Sequence, residues 1–461
     1  MFKKIEIWIL YLFIVISILF AVGFGVLVRQ ELVGTTKLGW ISEAALNLAE
    51  MPMNIRRLLS GQSQDLAAED RYPNLEGFNG TPNSQQAYLL LSRYDGNIKE
   101  GIVDLVDLTS FEILHSWNPD IDHFNDLVDQ VHEFQYLERD NNDSRSMLIH
   151  PLLTADGGLI FHSASPLRKI DKCSNLIMQS AQDIFHHSIE EDNEYNIWIS
   201  SHLYPQSLSS SKVGRGQLVE GGFVDDSILK LSPEGEILYQ KSVSQIFIEN
   251  NLEYLLFAHG TNYERDPIHL NDIQPVENDG KYWKRGDVFL SLRSQSMIIL
   301  YRPTTNEIIW KGTGPFFRQH DVNILDESRI SVFNNNSKLF VSDTLSLDGN
   351  NDIVDGHNEV IIYDFSTDQY SSYLSNSLIE NDVRTITQGR SKILPSGDLF
   401  VEETIYGRTL YFNADGSMRW SHLNRAEDGK LYTVGWSRIL HNQKDTQTVK
   451  NFLESKVNCN E

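Results

Sequence analysis

The chain has 461 residues, 41% hydrophobic and 10% aromatic, with 63 acidic against 39 basic side chains and a formal net charge of −24. Such a composition supports a large folded core and gives no reason to expect long disorder. The acidic excess excludes a nucleic-acid or anionic-lipid surface as the main partner, and an anionic small molecule would need a locally basic pocket.

Ile7 to Val28 is an uncharged run of 22 positions preceded by Lys3 and Lys4. As a helix it would span the roughly 30 Å hydrocarbon core of a bilayer. It exceeds the roughly 7–15 apolar residues of a cleavable signal peptide. The expectation is a retained single-pass anchor over 7–28, with 1–6 cytoplasmic and the remainder periplasmic or extracellular, because Lys and Arg favour the cytoplasmic side.

Residues 29–86 read as a helical stalk and linker. Leu, Ile, Ala and Met recur at helical spacing over 38–59, interrupted by Pro52, and 60–83 is rich in Gly, Asn, Ser, Asp and Pro. From Ala87 the pattern changes to short runs of β-branched and aromatic residues divided by turn residues. These runs repeat as a unit of four strands. Copies span Tyr88–Trp117, His150–Gln179, His187–Lys241, His269–Lys311, His320–Leu374 and Arg390–Leu423. In three of them an aromatic follows the second turn: Tyr239, Trp310 and Trp420. Four-stranded repeats at roughly 40-residue spacing are the signature of a β-propeller. The expected fold is all-β, a six-bladed β-propeller over 87–425, with an N-terminal transmembrane helix, a short helical linker and a C-terminal extension over 426–461. A β-sandwich would give no reason for equivalent residues to recur copy by copy.

Two consecutive hairpins carry the chemistry. The first opens at His269 and returns to Arg293; the second opens at Gln319 and His320 and returns to Asn334. In each, antiparallel return places the first and last side chains at one mouth. Aligning the copies on their first turn puts His150, His187, His269, His320 and Arg390 at equivalent strand-opening positions, which a ring brings towards its axis. His150 precedes Pro151 and reads more simply as a strand end. Asp348, Asn350, Asp352 and Asp355 are spaced loosely like a calcium loop but lack its closing Glu, so they read as a polar insertion. Cys173 and Cys459 have no metal-ligand spacing; a disulfide and two free thiols are both open. No Gly-rich phosphate loop opens a helix.

The stretch His186, His187, Ser188, Ile189 followed by Asn196 to Ile199, the pair His269 and Arg293, and Gln319, His320, Asp321 resemble the bacterial arylsulfate sulfotransferases, six-bladed propellers of the periplasm. The resemblance covers roughly Met147 to Arg425. It implies transfer of a sulfuryl group from an aryl sulfate donor to a phenolic acceptor, with no nucleotide, cofactor or metal, through a transiently sulfated histidine. By motif position that histidine is His320, supported by His187, His269 and Arg293. Apart from the resemblance, Arg390 and Asn334 are read from their places in the repeat as substrate-binding residues, with a salt-bridged structural role equally open for Arg390. His187 is taken over His186 because it lies nearer the strand opening, a choice one residue either way. Two features depart from the family's pattern: the retained anchor and a shorter interval between Arg293 and His320. The residue types suit the chemistry. A sulfate ester needs cationic or donor groups aimed at its oxygens, Arg offers a fixed charged fork, and imidazole presents a lone pair at neutral pH. The rival expectation is a non-catalytic propeller that binds a ligand or partner protein at its channel.

Overall fold

The computed structural model describes residues 6–32, 66–129, 137–213, 222–258, 264–339 and 352–455, together with Phe134, Cys459 and short pieces between 38 and 51. The chain divides into two units, residues 1–65 and 66–461. In the first, Ile7–Leu32 is one helix of 26 residues, a candidate membrane anchor by length and composition. Its length, about 39 Å at 1.5 Å per residue, exceeds a hydrocarbon core and carries Arg29 into the last turn. Helical pieces recur between 40 and 51, where the sequence predicts a stalk; Pro52 and residues 53–65 lie outside the described residues.

Among the described residues, the second unit has six sheets of four or five strands arranged as a six-bladed β-propeller, with two further two-stranded sheets. Turn chemistry sets the blade register. Gly235 and Gly416 sit at φ of 89° and 87°, conformations that only a residue without Cβ adopts freely, and each closes a tight turn between the third and fourth strands of its blade. The second to fifth blades each take four strands in simple order and span 149–180, 184–242, 270–312 and 320–373. Their inner strands pack side by side around the axis.

Both faces of each sheet are covered by neighbouring blades, so central strands such as Met297–Arg302 read as apolar runs, whereas the outer strand Glu307–Gly312 alternates. Six separate apolar clusters fill the six gaps between blades. The aromatics that mark the fourth strands lie in these gaps: Trp310 stacks on Tyr363 at 4.8 Å, Trp420 on Tyr411 at 5.3 Å, and the hydroxyls of Tyr239 and Tyr301 meet at 2.9 Å.

Ring closure corrects both expected propeller boundaries. Arg438–Leu440, placed by the sequence reading in a C-terminal extension over 426–461, is the inner strand of the first blade and pairs with Tyr88–Asp95. Gly77–Gly80, assigned to the linker, adds a fifth strand outside Met418–Leu423 in the sixth blade. Strands of three and four residues carry too little periodicity to be seen without their partners. Gln443–Glu454 follows as a helix capped by Asn442, and its Phe452 ring stacks on Trp117 at 5.7 Å. Cys173 and Cys459 form a disulfide, one of the two alternatives left open by the sequence. The polar insertion is described only in part: Ser337–Leu339 pairs with Asp352–Val354, while Asp348 and Asn350 lie outside the described residues.

Candidate functional site

A strand that alternates cannot put two neighbouring side chains on one side. The inner strands escape this rule at their openings. Register shifts fall at Ile149 to Leu152, His186 to Ile189, Leu270 to Asp272 and His320 to Val322, each a bulge at the same place in its blade. Left-handed backbone accompanies them at His150, His187, His269 and Asp321, with φ between 46° and 61°. For a residue with a Cβ this conformation costs about 1–2 kcal/mol, and bulges re-aim side chains beside active sites. Here they place imidazoles together.

His187 lies 5.1 Å from His269 and 6.0 Å from His320, ring centroid to centroid. Trp436 sets its edge or face against His187 at 5.8 Å and His320 at 6.0 Å. The first hairpin closes as its sequence suggests: the Arg293 amide donates to the His269 carbonyl at 3.0 Å. The Arg293 side chain is half-buried.

His320 is fully buried, and its Nδ1 lies 2.6 Å from the carboxamide oxygen of Asn335. A carboxamide oxygen only accepts, so Nδ1 carries the proton and Nε2 the lone pair. No hydrogen bond reaches that Nε2 among the described residues. Burial first, and the Arg293 charge second, hold the imidazole at a pKa of about 3, so it is neutral across the physiological range. Burial and the neighbouring His186, His269 and His320 also push His187 well below its ordinary value. The His187 carbonyl meets His162 Nε2 at 2.9 Å. His269 is tied differently: Asp266 accepts from its amide at 3.1 Å and holds its Nδ1 at 2.6 Å.

A second group is built on ion pairs. Arg390 pairs with Asp321 at 3.1 Å and touches His150 Nε2; Arg438 pairs with Glu190 at 3.0 Å. Asp272 accepts from the Val322 amide at 2.6 Å, and burial followed by the Asp321 charge raises its pKa to about 8, so it keeps a proton at neutral pH. Trp436 reaches this group too, at 5.6 Å from His150.

The structure therefore brings together His187, His269 and His320, with Arg293 at the mouth of the first hairpin. It places Arg390 in the ion-pair network with Asp321. Asn334, expected as a substrate contact, instead accepts from the amides of Phe317 and Asn336 at 2.8 and 3.2 Å and so holds the loop. Its neighbour Asn335 is the residue that touches His320. Sequence reasoning also missed Asp266, three residues before His269, and Trp436, which stands at the strand-opening position of the first blade, with φ of 61°. The repeat itself is the signal that would have found Trp436. The adjacent histidines part company at the bulge: His187 faces the axis, while His186 faces His202, with ring centroids 4.0 Å apart.

A family model described as arylsulfotransferase (ASST) matches residues 150–425, more than half of the chain. No protein with a curated description matches. Among solved structures, a protein of unknown function from Bacteroides caccae is similar at 12% identity and a TM-score of 0.45, covering 76% of this chain and 98% of that one. The Neurospora crassa Pan2 WD40 domain is similar at 9% identity and 0.39, covering 77% and 89%. A virginiamycin B lyase from Staphylococcus aureus is similar at 8% identity and 0.35, covering 75% and 87%.

Proposed function

The chain belongs to the arylsulfotransferase family, and from that premise we propose that it moves a sulfuryl group from an aryl sulfate to a phenol through a covalent intermediate on His320. The observation that carries this reading is the Asn335 bond to Nδ1, which leaves a buried, neutral, unbonded lone pair on Nε2. That lone pair attacks sulfur. The new S–N bond forms as the S–O bond to the aryl group breaks, and the bonding pair leaves with the phenolic oxygen. Arg293 and His187 supply charge and donors for the three sulfuryl oxygens. His269 handles the proton: as an imidazolium paired with Asp266 it protonates the leaving phenolate, and as a neutral base it later takes the proton of the acceptor phenol. The acceptor oxygen then attacks sulfur and the S–N bond breaks, restoring His320. The cycle is ping-pong and needs no nucleotide.

The same reading places the propeller outside the cytoplasm. The apolar helix Ile7–Leu32 follows Lys3 and Lys4, and a disulfide such as Cys173–Cys459 persists in an oxidising compartment. The direct test mixes the protein with a chromogenic aryl sulfate and no acceptor. Phenol should appear as a burst of one equivalent, the intact mass should rise by about 80 Da, and the label should map to His320. Adding phenol should discharge it. Turnover that persists in His320→Asn would defeat the covalent step. Absence of any turnover across a panel of aryl sulfates would favour a propeller that only binds.

A further inference from the structure

Asp226 opens the third strand of the third blade with 0% of its surface exposed, yet no hydrogen bond reaches either carboxylate oxygen among the described residues. A buried charge without such partners is strongly unfavourable unless something else compensates it. What faces it are two imidazole nitrogens. His186 Nε2 lies 3.2 Å and His202 Nε2 lies 3.3 Å from the same oxygen, Oδ1. Sheet register builds the group: His202 pairs directly with Asp226 on one side and with Ile184 on the other. Residues two apart on a strand share a face, so His186 joins Ile184, His202 and Asp226 on one face of the blade.

We propose that His186 Nε2, His202 Nε2 and the Asp226 carboxylate bind a divalent transition metal, with zinc the ion best suited to two imidazoles and one carboxylate. The spacing favours an ion over a direct hydrogen bond. Ligands about 2.0–2.1 Å from a tetrahedral centre stand roughly 3.3 Å from one another, close to both separations seen here. A charge-assisted N–H to carboxylate bond would draw in to about 2.7–2.9 Å. Three protein ligands leave a fourth position for water, and the His202 side chain, 22% exposed, gives the ion a route from solvent. The ion would also supply the positive charge that Asp226 lacks.

The site touches the sulfuryl cluster through one contact, His186 Nδ1 to His187 Nδ1 at 2.8 Å. With Nε2 on a metal, the His186 proton must stand on Nδ1 and point at His187 Nδ1, which fixes the His187 proton on its other nitrogen as a donor. Without the ion, Asp226 claims the Nε2 proton and the order reverses. Metal binding itself is independent of the proposed sulfuryl transfer; only this effect on His187 rests on it.

The test uses the full chain in detergent, stripped by a chelator and titrated with Co²⁺ and then Zn²⁺. One equivalent of Co²⁺ should bind with the visible absorption of a four-coordinate ion, and Zn²⁺ should displace it. His202→Ala, outside the sulfuryl cluster, should weaken Zn²⁺ binding by more than the roughly 10–100-fold that loss of an outer-shell partner costs. His320→Asn should bind as the wild type does. Folded, stripped wild type that takes up neither ion at micromolar, stoichiometric concentration would overturn the proposal. So would binding that survives His202→Ala and is lost in His320→Asn, because the ion would then sit on the catalytic histidines. Neither readout requires turnover, so an inactive protein that binds one ion still supports the site.

Discussion

Replacing Asn335 with leucine removes the acceptor from His320 Nδ1 while keeping a side chain of similar size. The bond is short, 2.6 Å, and fully buried, so no water is at hand to replace it. A buried N–H left without a partner costs about 1–3 kcal/mol. The ring has an escape, since its proton can move to Nε2, and that shift consumes the lone pair needed for attack. At 1.4 kcal/mol per factor of ten, the reactive tautomer should fall by roughly 5- to 150-fold. In stopped flow with a chromogenic aryl sulfate, the burst rate constant of Asn335→Leu should drop by that factor while donor affinity holds. The carboxamide also donates to the carbonyls of Thr385 and Gln388 at 3.2 and 2.6 Å, so thermal stability should fall as well. Two further measurements separate tautomer from fold. Nitrogen chemical shifts of His320 should report protonation of Nε2 in the leucine variant. Asn335→Asp restores an acceptor and adds charge that favours the imidazolium, so its burst should recover with the acid limb moved to higher pH. An Asn335→Leu protein that loses stability but bursts at the wild-type rate would refute the tautomer reasoning.

Arg293→Lys keeps a charge at the hairpin mouth but loses the planar fork, so kcat/KM should fall by one to two orders of magnitude with little change in Tm; equal loss of both, in kinetics and melting, would argue against a direct role. On the acid side the burst rate should hold down to about pH 4.5, where a free imidazole of pKa about 6.5 would be roughly 99% protonated, because His320 titrates near 3. A burst that dies with an apparent pKa near 6.5 would contradict this. Stability follows the same groups with opposite signs. The contribution from His320 is complete above pH about 6.5 and lost as pH falls towards 3, and that from Asp272 is complete below about 3.8 and lost as pH rises through 8. A melting series across pH reads both. A reporter fused after Glu461 should be active only when it requires an extracytoplasmic location; a strictly cytoplasmic reporter that works there would overturn the topology.

The blade count was legible because each blade needs four strands, three turns and a filled gap, and those demands repeat at readable spacing from His150 to Leu423. That His187, His269 and His320 lie together was legible for the same reason: equivalent positions in a ring converge. What escaped detection was whatever lacked period or sat one residue away. Asn334 and Asn335 differ only in which side of a strand end they face, and the strand's last pair decides it. His186 and His187 differ by a bulge that no pattern of alternation announces. Arg390 fits the repeat as well as any histidine does, yet Asp321 beside it takes up its charge. His202 and Asp226 lie 24 positions apart in the chain, so their meeting with His186 becomes visible only once strands are paired.

Arg438–Leu440 completes the first blade, and Trp436, two residues before it, touches both His187 and His320. A ribosome delivers the chain from its amino end, so five blades and all three axial histidines are made before this segment exists. Until it arrives the first blade lacks its inner strand, and the pocket lacks a wall. His320 thus acquires the Trp436 side of its surroundings only after the five blades before that segment have been made. A chain ended before Trp436 would hold every histidine of the set and still lack the ring that packs against His187 and His320. Completion of the pocket is tied in this way to closure of the ring.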